Sequence, residues 1–262
     1  MINKLLLYKR TIQYLLPRQI FYRIFYKFFK KKFKIKNYNF ELRNYKRANF
    51  FNLKKNDSII RKNTFKFLKL FYKIDHKWRI KRTDKLWIYN LHYFDYLNSN
   101  YANKEYLEHL IHNWILLINA EKKTGLDPYP TSLRIVNWIK FFIINKIETK
   151  NYDNNLFNQV VFLSKNFEYH LLGNHYFSNI KAIIFGCLYF NSKILDEILK
   201  KCLKKLYEEL NAQILNDGGH AEFSPMYHSI ILEDLLDIIS IVKFYDFKLD
   251  RKLDLLIKKK IH

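Results

Sequence analysis

Leu215-Asn-Asp-Gly-Gly-His-Ala-Glu-Phe-Ser-Pro-Met-Tyr-His228 is the stretch around which this chain is organised. It gathers Asp217, His220, Glu222, Tyr227 and His228 about two adjacent glycines, between two long helical patterns. Gly218 and Gly219 permit positive φ and a close backbone approach. Pro225 suits the first turn of the helix that follows, so Met226, Tyr227 and His228 are expected on that turn. The bland alternative is a polar connector with a C-cap glycine and a packing tyrosine.

A second stretch belongs with it, Tyr169-His-Leu-Leu-Gly-Asn-His-Tyr-Phe-Ser178. Gly173 is read as the end of one helical run and Asn174 as the N-cap of the next. Capping alone would account for Asn174, and His175 could be an ordinary core or surface histidine. The functional account is that both corners lie at helix ends, and helix ends can converge on one cleft.

The chain has 262 residues, 49% of them hydrophobic and 18% aromatic, enough for one domain with a sizeable core. Five glycines and four prolines favour long helices with short connections. Cys187 and Cys202 lie in helical patterns without CxxC spacing, so neither a zinc knuckle nor a disulfide scaffold is indicated. No metal site or cofactor is expected. The first residues, MINKLLLYKRTIQYLL, break their apolar run with Lys9 and Arg10 and make a poor signal peptide. The expected location is cytoplasmic, or peripheral to the inner membrane face.

The formal charge of +23 is unevenly placed. Residues 1–82 hold 25 Lys+Arg and 3 Asp+Glu, a net of +22; residues 83–262 hold 22 and 21, a net of +1. Hence the division into a basic extension, 1–82, and a nearly neutral helical domain, 83–262. Residues 1–36 read as a basic, aromatic-rich helix with Ile20, Ile24 and Phe28 on a stripe beside Phe21, Phe25 and Phe29. It could dock on the domain, lie on an acidic membrane face or bind an anionic polymer. Nucleic acid is disfavoured, since no RRM, KH or zinc-finger pattern is present. Residues 37–82 look irregular, with weak strand or helix tendencies, and are expected to wrap the domain.

From 83 the pattern becomes helical. Leu86–Leu97 is dense in aromatics, with His92 and Asp95 embedded. Runs follow at 103–120, 132–147, 154–171, 175–190, 192–213 and 226–245, whose short connectors imply antiparallel hairpins. Between the first two, Ser132 is read as a cap, placing Arg134 and Trp138 on one helical face. Arg134 is either a solvated helix residue or a carboxylate clamp beside an aromatic platform.

Taken together, Trp87–Leu97, Ser132–Trp138, Gly173–Asn179 and Asp217–His228 resemble the N-terminal helical domain of the heparinase II/III-like polysaccharide lyases, in the same order. The resemblance covers roughly 70–250. It implies an all-α fold, an incomplete (α/α) toroid of antiparallel helix pairs, normally followed by a C-terminal β-sandwich. It further implies that Asn174 neutralises a uronate carboxylate, that Tyr227 transfers protons, and that His175 is the neighbouring histidine used by part of the family. One departure is Ser178, where some members carry a glutamate. Another is that the sequence stops at His262 without a β-sandwich, so activity is expected to need one supplied in cis or by a separate chain.

The expected ligand is therefore an acidic polysaccharide, with Asn174, His175 and Tyr227 catalytic and His92, Arg134, Trp138, His220, Glu222 and His228 binding substrate. Removing the C5 proton of a uronate builds charge on its carboxylate, which an amide donor can hold while a tyrosine returns a proton to the leaving oxygen. Hydrolysis would want paired carboxylates, for which Asp217, Glu222 and Asp95 are available. The non-enzymatic alternative is an acidic-glycan binding or polysaccharide-assembly protein that keeps the cleft without turnover.

Overall fold

The computed structural model describes residues 10–29, 31–46, 49–75, 78, 80, 84–118 and 124–261. Its framework is helical: α1 Pro17–Phe29, α2 Lys85–Tyr93, α3 Lys104–Ile118, α4 Pro128–Asn145, α5 Asp153–Ser164, α6 Gly173–Tyr189, α7 Lys193–Gln213, α8 Pro225–Phe244 and α9 Arg251–Ile261. Two small antiparallel sheets complete it. β1 (Glu41–Leu42) pairs with β5 (Phe190–Asn191), and β2 (Ile59–Arg61), β3 (Thr64–Phe67) and β4 (Leu70–Lys73) form a meander.

The sequence of α6 explains its position. It is apolar apart from Ser178, Asn179 and Lys181, and each residue from Tyr176 to Tyr189 is buried, leaving no face for solvent. A helix without a polar face has to be surrounded, and α6 packs against α4, α5, α7 and α8. Gly186 lets α5 come close, since a Cβ there would stand 2.3 Å from Val160 Cγ2. By contrast α7 is one-sided: Leu195, Leu199, Cys202, Leu206 and Leu210 are buried at helical spacing while Lys193, Lys200, Lys201 and Lys204 face solvent. Alternate helices touch in succession, α2 to α4, α4 to α6 and α6 to α8. They form one row, with α5 and α7 packed behind it.

The three tryptophans Trp87, Trp114 and Trp138 are fully buried; Phe94 meets the last two edge-on, at 6.2 and 5.4 Å between ring centres. Residues of the basic extension lie on this body. Arg43 pairs with Asp196 of α7, Lys55 with Glu233 of α8, and β1 adds to the end of α6 through β5.

Several boundaries differ from the sequence reading. Helix α4 starts at Pro128 after an extended Asp127, so Ser132 is an interior residue and its hydroxyl donates to Pro128 O. Proline at the first helical position won over the serine four residues on. Asn174 is not the N-cap of α6; that position is Leu172, at φ 62 and ψ −153. Helix α5 stops at Ser164, leaving 165–172 as a loop. The meander and α9 were not foreseen.

Candidate functional site

The loop 165–172 and the first turn of α6 make one corner. Leu172 occupies a backbone region that is essentially glycine's own, and such strain gathers at functional turns. Gly173 follows at φ 54. Asn174 and His175 then stand half-buried on the opening turn, where helix N–H groups lack intrahelical acceptors.

His175 is held on two sides. Its ring stacks on Tyr129, 4.2 Å between centres, and its Nδ1 lies 3.3 Å from Glu168 Oε1. A carboxylate only accepts, so Nδ1 carries a proton, and in the neutral ring Nε2 keeps the lone pair. Glu168 is itself fixed: its amide donates to Asn179 Oδ1, and its Oε2 accepts from Asn179 Nδ2, which also donates to Ser132 Oγ. His175 borders a cleft of about 300 Å³. Tyr26 of α1, Lys85 and Tyr89 of α2, Asp127 and Glu168 are among its other polar walls. Tyr89 Oη donates to Asp127 Oδ2 at 2.5 Å, and burial together with that bond pushes the phenol's pKa upward.

The second corner touches the first. Glu222 Oε1 stands 3.1 Å from where a Cβ on Gly173 would sit, and Gln213 Nε2 donates to Gly173 O at 3.1 Å. His220 forms a bridge with Ile214, its Nδ1 accepts from the Glu222 amide at 3.2 Å, and its ring lies 5.9 Å from that of Tyr227. Pro225 opens α8 as expected, which puts Tyr227 half-buried on the first turn and His228 exposed beside it. The N-termini of α6 and α8 thus meet through Glu222, and both carry the positive end of a helix dipole.

Four residues expected to bind substrate do not line this surface. Arg134 is 0% exposed: its guanidinium donates to Gln159 Oε1, Gly125 O, His92 O and Thr131 Oγ1 and lies over the Trp114 ring. With its donors engaged inside the protein, it is a structural cation and not a carboxylate clamp. Trp138 is core. His220 is buried against Tyr227 and braces the loop instead of facing ligand. His92 is half-buried; Nδ1 accepts from Trp114 Nε1 at 3.0 Å, the ring stacks on Trp78, and burial, then the nearby Arg134, lower its pKa to about 3. It is a structural acceptor for the tryptophan. Of the expected binders, Glu222 and His228 stay exposed.

Sequence reasoning overlooked three features. Glu168 sits in what reads as helix, and nothing in its spacing marks it as the partner of His175. Phe223, at φ 52 and 86% exposed, stands out beside the motif; an aromatic in a polar glycine loop was the available signal. The third is a buried ion cluster across the inner row. Lys181 of α6 pairs with Asp234 and Asp237 of α8, and Lys140 of α4 reaches Asp237 Oδ1 at 2.5 Å. Burial alone would raise the Asp237 pKa, but the two lysines hold it below its ordinary value.

Comparison with known proteins agrees with this architecture. The family model for the heparinase II/III N-terminus matches residues 136–251, which include both corners' helices. Residues 136–251 are thus similar to the heparinase II/III N-terminal domain. A solved heparinase III superimposes with a TM-score of 0.59 at 18% identity, over 76% of this chain and 38% of that one. At that identity the likeness is one of fold. The chain spans well under half the length of that structure, and no curated protein matches the sequence.

Proposed function

We propose that this heparinase II/III-like domain is the helical wall of a polysaccharide lyase that cleaves a uronate-containing polymer by β-elimination. The observation that carries the reading is the seating of Glu222 against Gly173, which joins the Asn174–His175 corner to the Tyr227 corner. The row of α2, α4, α6 and α8 supports an incomplete toroid, whose open end is this junction.

In the proposed reaction Asn174 Nδ2 donates to the uronate carboxylate at the N-terminus of α6, where enolate-like charge develops. His175, with its proton fixed on Nδ1 by Glu168, takes the C5 proton on Nε2. The C5–H electron pair becomes the C4=C5 bond, the C4–O bond breaks, and Tyr227 gives its proton to the departing oxygen. Exchange with water then restores both side chains. Paired-carboxylate hydrolysis fits less well. Asp217 Oδ1 accepts from the Gly219 amide in a local turn, and Asp95 Oδ1 accepts from Asn137, so neither stands free opposite Glu222.

The test is product chemistry. The protein, together with a β-sandwich domain in the same or a separate chain, is incubated with a panel of uronate polymers. Elimination creates an ultraviolet-absorbing unsaturated end for every new reducing end, and Asn174→Ala should suppress both. New reducing ends without ultraviolet absorbance contradict the proposal. Binding of a polymer without any cleavage would favour a glycan-binding role.

A further inference from the structure

The basic helix α1 has two faces with different fates. One docks on the cleft loop: Tyr22 packs on Tyr169 at 4.5 Å between ring centres, Tyr26 Oη donates to Phe167 O, and Gln19 Nε2 donates to Leu171 O. Arg18 lies over the Tyr169 ring as well. These residues fall on one arc of a 100° helical wheel. On the opposite arc Phe21, Ile24 and Phe28 are 58%, 59% and 70% exposed, and no residue of α1 is buried. Arg23 and Lys27 lie along one edge of that apolar arc, and residues 10–36 contain nine Lys+Arg and no Asp or Glu.

We propose that α1 anchors the protein to an acidic lipid surface, with Phe21, Ile24 and Phe28 inserted at the headgroup–acyl boundary and the surrounding cations on anionic headgroups. The apolar arc selects this partner over a polyanion. Nucleic acid or an acidic glycan would satisfy the lysines and arginines but leave two phenylalanines and an isoleucine in water, whereas a lipid interface takes both. The anchor lies in the membrane plane, since no helix among the described residues is long and apolar enough to cross a bilayer. Docking through Tyr22 and Tyr26 sets the orientation: the loop that bears Glu168 rests on the inner face of the anchor, so the cleft is carried next to the surface.

Vesicle co-sedimentation at physiological salt tests this with the full chain. Vesicles of phosphatidylcholine with phosphatidylglycerol should bind it, and phosphatidylcholine alone should bind at least tenfold more weakly. The triple variant Phe21→Ser, Ile24→Ser, Phe28→Ser should lose at least tenfold on the acidic vesicles. Its circular dichroism melt should stay unchanged, because these side chains are exposed. Arg23→Gln with Lys27→Gln should weaken binding while leaving the apolar arc in place, and it serves if the triple variant misfolds. Failure of the full chain to bind acidic vesicles overturns the proposal. So does undiminished binding by the triple variant, which would mark plain polyanion attraction.

Discussion

Glu168 fixes which nitrogen of His175 carries a proton: the imidazole's Nδ1 lies 3.3 Å from the buried carboxylate, and Tyr129 stacks on the ring. Neither partner lies within the first turn of α6. Glu168 comes from the 165–172 loop and Tyr129 from the head of α4, so the histidine is positioned by tertiary structure.

Glu168→Gln keeps the shape but removes the charge and leaves an amide that can donate as well as accept. A hydrogen bond to a charged group contributes about 1.5–3 kcal/mol. If His175 works as the base, turnover should fall about tenfold to a hundredfold. Binding of a uronate oligomer, which the proposal gives to Asn174, should change little. Steady-state kinetics beside calorimetric binding separates the two, and equal loss of both would make Glu168 a folding residue only.

His92 should stay neutral in the folded protein down to about pH 4, with Nδ1 as acceptor for Trp114. Its pKa falls from 6.5 to about 3 on folding, through burial and then Arg134. The unfolded chain therefore binds this proton first, and stability is lost as the pH drops from about 6.5 towards 3. Nitrogen-15 NMR of the imidazole reads the protonation directly. Denaturant melts of His92→Asn, which keeps an acceptor near Trp114, should show a flatter acid limb.

The ion cluster predicts an asymmetric response. Lys181→Met leaves Asp234 and Asp237 buried with only Lys140 to compensate, a loss of about 3–5 kcal/mol in urea unfolding. A surface control, Lys200→Met, removes an exposed pair with Glu197 and should change stability by about 0.5 kcal/mol or less.

At Gly186, alanine would ordinarily favour a helix by about 1 kcal/mol. Here its Cβ would stand 2.3 Å from Val160 Cγ2. Gly186→Ala should therefore destabilise by about 1–3 kcal/mol. Adding Val160→Ala should recover part of that loss, and thermal melts of the double-mutant cycle would show the coupling.

Much of the framework could be read from the chain because its signals are local. The apolar periodicity and the glycine- or proline-bearing breaks at 125–130, 173–174 and 217–225 mark α3 to α8 closely except at the end of α5, and Pro225 marks the head of α8. What could not be read is burial that depends on distant partners. Arg134 has the same local pattern as a surface arginine, and it becomes a core residue only because Gln159, Gly125 and Trp114 close over it. Lys140, Lys181, Asp234 and Asp237 each look like charges on a helix face, and three separate helices are needed to pair them. Asn174, His175 and Tyr227 were legible as corner residues. Their link through Gly173 and Glu222 is long-range and emerged only with the fold.

The claim that matters most is that Tyr227 supplies the proton for elimination. Tyr227→Phe keeps the ring that packs near His220, so the fold should hold, with melting unchanged. The measurement is the rate of ultraviolet-absorbing product from a uronate polymer, for the protein combined with a β-sandwich domain, with and without this substitution. The account predicts a loss of about 10²–10⁴-fold with polymer binding retained. Full-rate formation of unsaturated product by Tyr227→Phe would contradict it.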